Sequence, residues 1–260
     1  MENEIVDLVK ATPNILGMVY QDLAQPGVKA VGKALGTVLE FSTSFLLPLK
    51  LLNEKFNLNF TKRLNEYKEK LEQIPEDKQC QVHPQIGTPI VEKLSYTTDE
   101  EIADLFTTLL ANASNIDMVN TAHPSFVNMI ERMSHDEARL LKYLEGKDDI
   151  EYCSFKGDNK DGEGFITILE HATLLDDEVK FCFPQNIGVY LANFISLGII
   201  EDMSGVHKVD KTNYNKIREK YRLGQLEKEL VPTEFKSITV SESFYQVTDL
   251  GKLFIKACIK

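Results

Sequence analysis

The chain has 260 residues, of which 43% are hydrophobic, 27% charged and 9% aromatic, and its formal net charge is −11. That apolar fraction fills a core, which excludes a disordered, collagenous or low-complexity chain, and the length suits one large domain or two ordinary ones. With 29 Lys and Arg against 40 Asp and Glu, generic nucleic-acid binding is disfavoured, because phosphate contacts need a local excess of cations.

The start, Met1-Glu2-Asn3-Glu4, is acidic where a secretory signal would be basic and then apolar. Cys80, Cys153, Cys182 and Cys258 lie far apart with no CxxC pair, so reduced thiols in a cytoplasmic protein are expected rather than a disulfide framework. From Val28 onward the positions Val31, Leu35, Val38, Ser42, Phe45, Leu49, Leu52 and Phe56 follow at alternating spacings of three and four, apolar except for Ser42. That is a heptad seam, which predicts a long helix packed lengthwise on a partner. After a stutter it resumes through Phe60, Leu64, Tyr67, Leu71 and Ile74 and stops before Pro75, while Pro48 should kink or divide the helix.

Gly32 and Gly36 share one face of this seam, and small residues at that spacing let helix backbones approach closely. The contact fits tight packing inside the domain, association with a second copy, or insertion at a membrane. Gly32, Leu35, Gly36, Val38, Phe45 and Leu49 would carry it. Lys33, Glu40 and Lys50 count against burial in lipid.

Further along, Thr88-Pro89, the Thr98/Glu101 pair, His123-Pro124-Ser125 and the Ser134/Glu137 pair read as helix starts. A domain boundary is expected there, giving a helical domain over residues 1–133 and a second domain over 134–260. In the second, Gly157 to Gly164 reads as a surface turn. The uncharged run Phe181 to Ile200 reads as a buried helix, Ile187 to Phe194, followed by the short strand Ile199 to Glu201. Lys236 to Val247 carries strand residues, and Thr248-Asp249 opens a last helix, Leu250 to Cys258.

Helix, short strand, long connection, strand and closing helix is the order of a winged helix-turn-helix. The phrases Leu197-Gly198-Ile199-Ile200 and Tyr245-Gln246-Val247-Thr248-Asp249-Leu250-Gly251 resemble that superfamily. The expected fold is therefore mainly α within an α+β whole, with long kinked N-terminal helices and a winged-helix-like C-terminal domain. The helix that would read DNA, Gln185 to Ser196, holds neither Lys nor Arg. The cationic cluster Lys208, Lys211, Lys216, Arg218, Lys220 and Arg222 lies outside it, and both halves of the chain are acidic. This points to protein docking ahead of nucleic-acid contact.

Catalytic patterns are missing from the sequence. His83, His123, His135, His171 and His207 form neither HExxH nor HxH, and His83 and His123, each before a proline, read as turn or cap residues. Gly32-x-x-x-Gly36 lacks the Lys-Ser/Thr of a phosphate loop, and no GxSxG elbow occurs. Asp161, Glu178 and Lys180 could be assembled into a metal-dependent nuclease, but in so acidic a chain such triplets arise by chance. No metal, cofactor or catalytic residue is implied.

Several phrases together resemble the abortive-infection alpha family of prokaryotic phage-defence proteins. They include Gly32-Lys33-Ala34-Leu35-Gly36, the run from Leu46 to Lys55, Leu94-Ser95-Tyr96, and Leu109-Leu110-Ala111. His123-Pro124-Ser125-Phe126-Val127, Ser134-His135-Asp136-Glu137-Ala138 and Leu250-Gly251-Lys252-Leu253-Phe254 complete the set. The resemblance implies an antiphage role in which the infected cell stops growing or dies, and it carries over no catalytic residues. The expectation is a non-enzymatic defence protein. Its winged helix would sense or dock a host or phage protein, and its N-terminal helices would self-associate into a homo-oligomer or engage the inner membrane peripherally. Two other functions remain open at this point: a DNA-binding regulator using the Lys208–Arg222 cluster, and the nuclease.

Overall fold

The computed structural model describes residues 31, 33–38, 54–231 and 233–259. These fall into two compact units. One holds the described residues up to Ala138 together with those from Lys256 onward, and the other is Arg139–Ile255.

The first unit is helical. Residues 33–38 form part of a helix, followed by α1 (Glu54–Glu72), α2 (Pro84–Tyr96), α3 (Glu100–Ala113) and α4 (Ser125–Glu131), with α5 (His135–Tyr143) beginning at its end. Helix α1 packs on both α2 and α3. The seam positions Tyr67 and Leu71 of α1 are fully buried, as are Ile90 and Leu94 of α2 and Phe106 and Leu109 of α3. Val31, Leu35 and Val38 are also fully buried. Their helix meets the start of α2 closely enough that a Cβ on Gly87 would lie 2.4 Å from Val38 Cγ2. The seam around Gly32, Phe45 and Leu49, and the kink expected at Pro48, lie outside the described residues.

Helix starts are set by side chains that accept the orphan N–H groups of the first turn. His83 Nδ1 accepts from Gln85 N at 3.2 Å, so α2 opens at His83-Pro84, and Thr88-Pro89 sits inside it. Asp99 Oδ1, rather than Thr98, caps α3 by accepting from Ile102 N at 3.1 Å. His123 Nδ1 accepts from Ser125 N ahead of α4. Ser134 and Glu137 close a reciprocal capping box: Ser134 N donates to Glu137 Oε2 at 2.7 Å, and Glu137 N donates to Ser134 Oγ at 3.4 Å.

The second unit keeps the α+β whole that was expected but corrects the expectation of a mainly α chain with a winged-helix-like end. It is built on a four-stranded antiparallel sheet in the order β2-β1-β4-β3, so the chain is α+β. Its strands are β1 (Asp149–Asn159), β2 (Phe165–Ala172), β3 (Ile200–Asp202) and β4 (Phe235–Val247). The short strand expected near Ile200 is present, but it meets β4 at only three positions, Ile200 to Asp202. The main partner of β4 is β1, from Asp149↔Gln246 to Asn159↔Phe235. A strand upstream of the helices, and not a wing following them, therefore organises the sheet. The Gly- and Asp-rich stretch near Gly162 is the β1–β2 hairpin turn, with Gly162 and Gly164 at positive φ.

Helices α6 (Leu175–Glu178), α7 (Ile187–Ser196), α8 (Thr212–Lys220), α9 (Leu223–Leu230) and α10 (Asp249–Cys258) complete the chain. Tyr214 and Ile217 of α8 are buried on one sheet face with Cys153, Phe155 and Ala172. The phrase around Thr248 has a local physical cause. Thr248 Oγ1 accepts from Gly251 N at 2.9 Å, capping α10, and donates to Gly198 O at 2.5 Å. Gly198, at φ +72, ends α7. None of the four cysteines is in a disulfide. Among the described residues, no helix is long and apolar enough to cross a membrane.

Candidate functional site: a polar cleft on the sheet

Side chains alternate across a strand, so β1 divides into two sets. Cys153 and Phe155 point into the α8 core, whereas Tyr152, Ser154 and Lys156 share the opposite face. Direct antiparallel partners lie on the same face. The register therefore places Ser243 beside Tyr152 and Ser241 beside Ser154. These side chains, with Glu170 and His171 of β2 and Ser204, Gly205 and His207 of the connection after β3, line a cleft of about 510 Å³. Arg218 of α8 and Val240 and Glu242 of β4, which the register places on the α8 face beside Phe155 and Cys153, complete the lining, so the cleft extends beyond one sheet face.

His171 holds the least ordinary backbone position in the cleft. Its φ is +51, in the left-handed region where a Cβ meets the following carbonyl, a conformation that costs about 1–2 kcal/mol outside glycine. The cause is a bulge: Cys153 pairs with Ala172 and Phe155 with Leu169, so Glu170 and His171 together oppose the single residue Ser154. The bulge aims His171 at two tyrosines. Its Nδ1 is 2.6 Å from Tyr245 Oη, and its ring centroid is 4.6 Å from that of Tyr152. Its backbone N–H donates to Ser154 Oγ at 3.2 Å. Tyr152 Oη donates to Asp202 Oδ1 at 2.6 Å. Burial pushes both tyrosine hydroxyls above their ordinary range, with the Asp202 charge adding to the effect. Both therefore stay protonated as donors.

Electrostatics at the other end centre on Glu242. Its carboxylate accepts from Arg218 Nη2 at 2.8 Å and from Lys211 Nζ at 2.6 Å. Beneath it, burial pushes the Cys153 thiol up to about 11, so this cysteine is a packing group and no nucleophile.

The structure distributes the expected nucleic-acid residues unevenly. Lys211 and Arg218 pair with Glu242, Lys208 with Asp149 and Glu151, and Lys220 with Asp176 and Asp177. Lys216 and Arg222 are exposed. Of the nuclease triplet, Glu178 accepts from Tyr143 Oη, Asp161 sits in the hairpin turn, and Lys180 offers its backbone carbonyl to Arg139. Among the described residues, no three His, Cys, Asp or Glu side chains group as metal ligands would. The expected self-association residues Leu35 and Val38 are buried within their own unit, and Gly36 lies in ordinary contact with Gln81.

A family model described as abortive infection alpha matches residues 54–258, which include every residue of the cleft. The chain belongs to the abortive infection alpha family. Membership in it gives the chain a role in abortive infection, a form of phage defence. No curated protein is similar to this abortive infection alpha protein. Among solved structures, one uncharacterized protein from the hydrocarbon-degrading marine bacterium Alcanivorax borkumensis SK2 is similar to it. That structure is 15% identical with a TM-score of 0.34, and the match covers 52% of this chain and 92% of the other.

None of the cleft residues of β1 and β2 is among those the sequence singled out as a site, although strand alternation offers a signal for them. Tyr152, Ser154 and Lys156 stand at every second position, as do Ser241 and Ser243. The small polar residues mark a sheet face packed with hydrogen-bonding rather than apolar side chains, Ser154 and Ser243 being buried on it.

Proposed function

We propose that this abortive infection protein carries out no chemistry of its own: the sheet cleft recognises a molecule that appears or changes during infection, and filling it is the signal. One observation supports this above the rest. The buried titratable groups of the cleft are committed to partners, Glu242 to Arg218 and Lys211, Tyr152 to Asp202, and His171 to Tyr245. A general base must be open to the proton it removes. What remains open is Lys156, Glu170, His207 and the hydroxyls of Ser204 and Ser241, spread over separate elements around the cleft rather than joined into a relay, which is the equipment of a binding site.

Tyr245→Phe separates recognition from acid–base chemistry, because it deletes the hydroxyl that holds His171 Nδ1 and keeps the ring. Recognition tolerates that loss, with stability lowered by about 1 kcal/mol for the missing hydrogen bond. Phage plating on cells expressing Tyr245→Phe is expected to stay as low as with wild type. Plating restored to the level of undefended cells, by a variant that still melts cooperatively, would reject the non-enzymatic function.

A further inference from the structure

Resting on that recognition role, we propose that the cleft binds an organic phosphate of nucleotide size. A volume of about 510 Å³ is in the range of small-molecule sites, roughly 300–1,000 Å³. Its lining rules out an apolar occupant. Ser204 and Ser241 supply hydroxyls and His207 an imidazole, Ser243 already donates to Met203 O and Ser154 Oγ accepts from His171 N, and Val240 is the single aliphatic side chain.

Charge favours an anion. Glu242 is answered twice, by Arg218 and by Lys211, so that cluster keeps one positive charge after pairing. Lys156 makes no ion pair among the described residues, and its ammonium lies over the Phe165 ring, 4.4 Å from the centroid. Against these stands Glu170, exposed at the rim. The donors come from separate elements: Lys156 from β1, Ser241 from β4, His207 from the connection after β3 and Arg218 from α8. Donors arriving from several directions suit a tetrahedral group with three or more acceptor oxygens better than a planar carboxylate with two.

The test is titration calorimetry of the full-length protein with ATP, AMP and adenosine as probes. Saturable binding of ATP or AMP is expected, weakened roughly tenfold or more in Lys156→Met and in Ser241→Val, each of which removes one donor. Neither variant touches the Glu242 ion pairs, so both should melt like wild type. Adenosine should not bind. Three results overturn the proposal: no binding of either nucleotide up to about 1 mM, equal affinity in the variants, or adenosine binding as tightly as AMP. If wild type binds neither nucleotide while folded cleft variants lose phage protection, the phosphate proposal falls and the recognition role stands. If cleft variants that no longer bind nucleotide still protect fully, the recognition role falls instead.

Discussion

Replacing Arg63 by alanine is expected to destabilise the helical unit by about 3 kcal/mol, among the largest single-residue effects in the chain. Arg63 is only 1% exposed, yet it is charged, and its whole fork is used. Nε donates to Thr97 O and Nη2 to Thr98 O, joining α1 to the turn before α3. Nη1 reaches Glu66 and Glu100, and Nη2 also reaches Glu100. Alanine removes all these donors and leaves a cavity, while both carboxylates stay partly in solvent, which keeps the loss at the lower end for a buried pair. Lysine keeps the charge without the fork and should recover less than half of the loss. Denaturant midpoints of the three proteins check the order.

The pH dependence gives a second readout of the same cluster. Hydrogen bonds from Arg63 and Lys62 hold the Glu100 carboxyl down to about 2, from an ordinary 4.5. A depressed carboxylate stabilises the fold above its unfolded value and loses that contribution as pH falls through the folded one. Between pH 4.5 and 2 the wild type should therefore lose stability more steeply than Arg63→Ala.

Gly251→Ala is the expected counterpart in the sheet unit, at about 3 kcal/mol or more. A Cβ at Gly251 would lie 2.2 Å from Ile199 O and 3.0 Å from its carbonyl carbon. The obstacle is backbone and cannot rotate away. The same oxygen accepts from Thr248 N at 3.0 Å, so moving it also loosens the cap of α10 and the end of α7. Gly224 in α9 is the control, because a Cβ there meets nothing within 4 Å. Gly224→Ala should stabilise by about 0.5–1 kcal/mol through helix propensity alone. Equal melting temperatures for the two variants would contradict the packing assigned to Gly251.

What could be read from the sequence was local. The caps at His83, His123, Ser134 and Thr248 depend on residues within three or four positions of one another, and each recurs in the structure as a hydrogen bond. The last strand and helix were legible for the same reason. The sheet was not, because β1 and β4 are some ninety residues apart and their register is a tertiary fact. Without β1, the helix, the short strand and β4 that follow read as a wing. The missed hairpin had a visible signature in Phe165-Ile166-Thr167-Ile168-Leu169, rich in β-branched and aromatic residues. The site followed the sheet: His171 is one histidine among five until the bulge opposite Ser154 turns it toward Tyr245 and Tyr152. The cationic cluster was likewise visible as charges, but not as pairs, since Glu242, Asp149 and Asp176 reach it from distant positions.

If defence operates through the sheet cleft, phage plating on cells producing Lys156→Met/Arg218→Met at wild-type level will reveal it. Lys216→Met, exposed on α8 and outside the cleft, serves as the control. The double variant, still folded by its melting transition, should let phage plate as on undefended cells, whereas Lys216→Met should protect fully. Full protection by the folded double variant would contradict a defence that operates through the cleft.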